Sequence, residues 1–98
     1  MIVVQTIFTR PSPDVPWYHE SWTDEMKSYI LDNYAGAGKL DGSFFENFDR
    51  TQITFIHVFV SKEIKEEWDK DHYLNAFRKD RAKYNKKKKI TCVIEDQE

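Results

Sequence analysis

Gln52-Ile53-Thr54-Phe55-Ile56-His57-Val58-Phe59-Val60 decides how the rest of the chain is read. Its two alternating sets, Ile53, Phe55, His57 and Phe59 against Thr54, Ile56, Val58 and Val60, are both largely apolar. A strand with that pattern is covered on both faces and sits inside a sheet rather than at its edge. Ser61 follows as a helix cap, and Ile64, Trp68, His72, Leu74, Phe77, Arg81 and Tyr84 then recur at helical or near-helical steps as far as about Lys86. The phase slips near Asp71-His72, which predicts two helical pieces or a bend.

Upstream, Asp49-Arg50-Thr51 is a short link to Ser43–Phe48, and so short a link favours an antiparallel hairpin. Asp41-Gly42 is expected to form a turn ahead of that strand, and Gly36 and Gly38 to close the helix before it. Gly36-Ala37-Gly38-Lys39 lacks the preceding strand and the Gly-Lys-Ser/Thr ending of a phosphate loop, so a helix cap accounts for it. The helix itself is marked by Ser21 or Thr23 as cap, by Asp24 and Glu25 in the first turn, and by Trp22, Met26, Tyr29, Ile30, Asn33 and Tyr34 on one face. Ile2–Thr9 reads as the first strand, stopped by Arg10-Pro11-Ser12-Pro13-Asp14-Val15-Pro16. Ile90–Glu95 reads as the last, followed by the acidic tail Glu95-Asp96-Gln97-Glu98.

The order is β-α-β-β-α-β over a single domain, residues 1–98, of the α+β class. It is the ferredoxin-like motif, an antiparallel sheet with both helices on one face and the first and third strands central. The other face is left bare, with Phe55 and Phe59 expected on it. That much exposed apolar surface calls for a second subunit, so a homodimer is expected.

Val58-Phe59-Val60-Ser61-Lys62-Glu63 through Trp68-Asp69-Lys70-Asp71-His72-Tyr73-Leu74-Asn75-Ala76-Phe77 resembles the dimeric α/β-barrel group, which includes the antibiotic-biosynthesis monooxygenase-like proteins. The resemblance implies two subunits with their bare sheet faces buried together and a ligand pocket between sheet and helices. It matches His72 and Tyr73 to a His-aromatic pair of the second helix, and it does not extend to Arg10–Trp22.

Composition sets the outer bounds. With 98 residues, 40% hydrophobic and fifteen aromatic rings, the chain can build one core. Cys92 has no disulfide partner, and its apolar run makes it a core residue. Neither a signal segment nor a membrane span is recognisable, and the cytoplasm is the expected compartment. Net charge is −2, yet Arg78–Lys89 holds eight basic residues against one acid. A solvated helix face explains that run. An anionic partner such as a nucleic acid is the less favoured reading, because the total charge is negative and no RNP-like aromatic pair is present.

Three histidines carry what chemistry the sequence offers. His19 lies among Trp17, Tyr18, Glu20 and Trp22, where aromatic rings packed over the core, a lid over a planar ligand, or catalysis would each use the same residues. His57, in mid-strand, is either a satisfied core or interface residue or lines a pocket. His72 sits on a helix flank beside Asp71. No spacing among the three suits a metal, and no carboxylate pair, triad or nucleotide loop can be assembled, so neither a metal nor a cofactor is expected. The leading expectation is a non-enzymatic ligand-binding or accessory module, with Trp17, His19, Trp22, Phe55, His57 and Tyr73 around a small aromatic molecule. The alternative is a cofactor-free monooxygenase or isomerase-like enzyme using His57 or His72. A polyanion binder acting through the basic helix comes third.

Overall fold

The computed structural model describes residues 1–97. Four strands, β1 (Ile2–Thr9), β2 (Leu40–Glu46), β3 (Gln52–Phe59) and β4 (Thr91–Gln97), form one antiparallel sheet in the order β2-β3-β1-β4. The two central strands are those with the longest β-branched and aromatic runs, as the sequence leads one to expect.

On one face lie α1 (Asp24–Ile30), which passes into a single π turn at Leu31–Ala35, then α2 (Lys62–Lys70) and α3 (His72–Lys88). Each start is fixed by a side chain that accepts an otherwise orphaned N–H: Thr23 Oγ1 from Met26 (3.2 Å), Ser61 Oγ from Ile64 (3.3 Å) and Asp71 Oδ1 from Leu74 (3.1 Å). Asp71 is thus both the break and the new cap. The phase slip in the sequence marks the point where α2 stops and α3 begins.

Two boundaries and the placement of Cys92 differ from expectation for physical reasons. Asp41-Gly42 is not a turn but part of β2, which begins at Leu40 and ends at Glu46. Gly42 pairs with His57, and a Cβ there would stand 3.4 Å from the imidazole Cδ2. The glycine therefore marks a close cross-strand approach, and the turn is made earlier, with Gly38 at φ +73°. β4 runs on to Gln97, because the backbone of the acidic tail pairs with Val3, Val4 and Gln5; Glu98, the last residue of that tail, lies outside the described residues. Cys92 is exposed, since β4 is an edge strand that the helices only partly cover.

The register assigns the faces. Rows Leu40–Phe59–Ile2, Gly42–His57–Val4, Phe44–Phe55–Thr6 and Glu46–Ile53–Phe8 run beneath the helices. Phe55 and Phe59 are therefore on the covered side, not on the bare face where they were expected. Both sets of β3 are apolar, so alternation alone does not say which one the helices select. The open face instead carries the row Phe45–Thr54–Ile7–Val93 across all four strands, with Val3, Ile56 and Val58 beside it. Phe45 and Val93 are 56% and 54% exposed.

Two buried clusters hold the layers together, one around Tyr34, Leu40, Phe59 and Leu74 and the other around Phe8, Trp17, Ile53 and Ile90. Between them the sheet and helices stand apart.

Candidate functional site

The space between the clusters is a cavity of about 530 Å³. Its floor is sheet: Thr6, Phe55 and His57, with the Gly42 notch beside the imidazole. Its roof is helical, from Met26 and Ile30 on α1 and from Trp68, Leu74 and Phe77 on α2 and α3. The third wall is the Pro-rich segment, whose 3-10 turn Tyr18–Ser21 brings in Trp17, His19 and Trp22.

That segment is a strap held by two anchors. Arg10, 4% exposed, donates from Nε to the Arg50 carbonyl (2.8 Å) and from Nη1 to the Val15 carbonyl (2.6 Å). Its Nη2 meets Glu46 at 3.3 Å, and its guanidinium lies 4.3 Å above the Trp17 ring. The second anchor is the Tyr84 hydroxyl, which donates to the Pro16 carbonyl. The prolines remove donors that the strap would otherwise leave unpaired. A third contact closes the 3-10 turn, where Glu20 Oε2 accepts from the Trp17 N–H at 2.6 Å. The indole N–H groups of Trp17 and Trp22 are buried with no acceptor among the described residues. Such donors each cost about 1–3 kcal/mol.

Burial shifts both cavity histidines towards the neutral form. His57 packs against Trp68 with ring centres 5.5 Å apart and planes tilted by 47°, and burial, with the charges of Arg81 and Arg78, pushes its pKa down to about 4. His19 packs against Phe55 (5.5 Å), Phe44 (5.7 Å) and Trp22 (6.0 Å). Burial lowers its pKa, while the Glu20 and Glu46 carboxylates pull the other way.

Of the residues singled out from sequence, the fold brings Trp17, His19, Trp22, Phe55 and His57 around this cavity. Tyr73 stands apart. It packs on Tyr29 (4.2 Å) and Phe77 (5.0 Å), and its hydroxyl reaches Glu25 at the surface. His72 is exposed at the start of α3 and does not line the cavity.

Sequence reasoning missed two arginines. Arg78 and Arg81 belong to the run read as a solvated helix face, but both line the cavity while Lys79, Lys83 and Lys86–Lys89 point to solvent. Leu74, Phe77, Arg78, Arg81 and Asn85 share one helical stripe, and that spacing was the available signal. Arg78 is fixed by the Trp68 carbonyl (2.9 Å) and Asn75 Oδ1 (2.8 Å). Arg81 lies with its guanidinium carbon 5.2 Å from the Phe8 ring centre, and burial works against its charge.

Among the described residues no group of three His, Cys, Asp or Glu side chains could hold a metal, and no helix is long and apolar enough to cross a membrane. Structural comparison matches the chain to a dimeric ferredoxin-like protein from an uncultured marine organism, with a TM-score of 0.62 and 14% identity over 99% of this chain and 91% of that one. The fold is ferredoxin-like. A putative amidohydrolase/peptidase from Burkholderia cenocepacia gives a TM-score of 0.48 at 8% identity, over 99% of this chain and 27% of that one. The Rv0793 protein of Mycobacterium tuberculosis gives 0.43 at 14% identity, over 97% and 93%. No protein-family model matches the chain, and no curated protein matches it by sequence. The comparisons thus support the fold and stop short of the antibiotic-biosynthesis monooxygenase-like family.

Proposed function

We propose that this domain is a non-enzymatic binding protein for a small aromatic molecule, held between the sheet and the helices. The observation that carries the reading is the aromatic-walled cavity of about 530 Å³, which falls within the roughly 300–1,000 Å³ usual for small-molecule sites. A chain of this length gains stability by filling its core, so a void of this size, with a strap pinned over it, is better explained by an occupant than by packing.

The alternative of a cofactor-free monooxygenase or isomerase-like enzyme is weakened by His57. A general base works best with a pKa near the operating pH, and an imidazole at about 4 is neutral but a weak acceptor of protons.

We propose further that two copies pair through the open sheet face, along the row Phe45–Thr54–Ile7–Val93. The neighbour from an uncultured marine organism is itself a dimeric ferredoxin-like protein, which agrees with that reading.

The test of binding is a thermal-shift screen with neutral and acidic aromatic compounds on the wild type and on Thr6→Trp, which places a ring in the cavity floor. A shift on the wild type that vanishes in a folded Thr6→Trp supports the proposal. No shift from any compound, or an equal shift in both proteins, overturns it.

A further inference from the structure

Taking the cavity as a binding site, we infer that its ligand is an aromatic monoanion, a planar ring system bearing one carboxylate, with that carboxylate held by Arg81. Three cations line the cavity, Lys27, Arg78 and Arg81, against one carboxylate, Glu20. Glu20 is already engaged by the Trp17 N–H. Arg78 spends its donors on Trp68 and Asn75. Arg81 makes no ion pair among the described residues, and its side chain appears in none of the hydrogen bonds that fix its neighbours.

An arginine in that position is chemically incomplete. Its planar fork of N–H donors matches a carboxylate in two parallel hydrogen bonds, and its charge is partly withdrawn from water by the Phe8 face on which it rests. One turn further along α3 the buried amide of Asn85 also lines the cavity and offers a second polar contact at the same end. Most of the remaining wall is rings, Phe55 and His57 from the sheet, Trp17 and Trp22 from the strap, Trp68 and Phe77 from the helices, with aliphatic side chains between them. Lys27 is also without an ion pair among the described residues but is exposed at the rim. Apolar walls with one half-buried unpartnered cation, Arg81, therefore select for a ring system with a single negative charge. A polyphosphate or a sugar would leave those walls unsatisfied.

Calorimetric titration with 2-naphthoate and its neutral isostere 2-naphthamide tests the inference on the wild-type protein and on Arg81→Met. The wild type should bind the naphthoate at least roughly tenfold tighter than the naphthamide, the size of effect expected for a charge-assisted pair. Arg81→Met should abolish that preference and leave naphthamide affinity within a few fold. If both compounds bind the wild type equally, the acid is not recognised and this inference falls while the cavity reading stands. If neither binds, the cavity reading falls with it. A naphthoate preference that persists in folded Arg81→Met overturns the assignment to Arg81, and Arg81→Gln is measured beside it so that a misfolded Arg81→Met does not leave the assignment undecided.

Discussion

Tyr34 and Asp71, 37 residues apart, are joined by a hydrogen bond of 2.6 Å from the phenol to Oδ2, and Tyr29 donates to the same oxygen at 2.8 Å. The other oxygen caps α3. One carboxylate therefore fastens the end of the first helical segment to the joint between the second and third, and Tyr34, 1% exposed, has its hydroxyl satisfied there.

Asp71→Ala should accordingly lose a cap and orphan a buried phenol, costing about 3 kcal/mol. Asp71→Asn keeps an acceptor for the Leu74 N–H and should cost about 1 kcal/mol. Urea unfolding of both variants checks the order; equal losses would show that the acceptor geometry is not what matters.

Arg10→Lys tests the strap anchor. A lysine cannot reproduce the fork that reaches Arg50, Val15 and Glu46 together, so about 1–2 kcal/mol should be lost, and Arg10→Met should lose about 2–3 kcal/mol. Tryptophan emission should shift to longer wavelength in both, because Trp17 packs under that guanidinium. Unchanged emission would mean that the strap is held by other contacts.

The pH dependence has a definite sign. His57 has a folded pKa of about 4 against an ordinary 6.5, so the unfolded chain binds more protons between those values. Stability should be complete above pH 6.5 and fall as pH drops through 4, by about 3 kcal/mol in all. Asp71 adds to the loss at still lower pH. Hydrogen bonds from Tyr34, the Leu74 N–H and Tyr29 outweigh the burial that raises its pKa, and hold it below the ordinary carboxylate range. Melts of the wild type and of His57→Gln between pH 4 and 8 should differ in slope only between pH 6.5 and 4. Parallel profiles would place His57 in contact with water.

Pairing through the open face predicts a sedimentation mass near twice 11.8 kDa at micromolar concentration. Phe45→Lys combined with Val93→Lys should return the protein to 11.8 kDa with its far-UV spectrum intact. A wild type that sediments at 11.8 kDa at these concentrations removes the dimer.

Where the sequence was legible, a single physical cause acted alone. β1 was read to the residue because three prolines end it, and the α2–α3 break because one residue disturbs the helical period. Elsewhere two causes competed. Asp41-Gly42 has turn chemistry, but the neighbouring His57 needs a residue without a side chain opposite it, and the tertiary demand prevails. Cys92 lies in an apolar run, yet edge position is a property of the sheet and not of the run. Arg78 and Arg81 were hidden among lysines, since charge composition says nothing about which way each side chain points; only their phase with Leu74 and Phe77 does. The aromatic strap residues were identifiable as a cluster, but that they meet Phe55 and His57 depends on strand order.

The lone guanidinium has a consequence for how such a chain evolves. Where Arg81 meets Phe8 and no acid, replacement by a packed apolar side chain would satisfy the core better, and the empty Arg81→Met protein should melt higher than the wild type. Selection for stability alone would have removed this arginine. On the proposed binding role, its presence in the stripe that faces the sheet is a trade-off between rigidity and use, one that a heat-stabilised version of this domain would be expected to lose first.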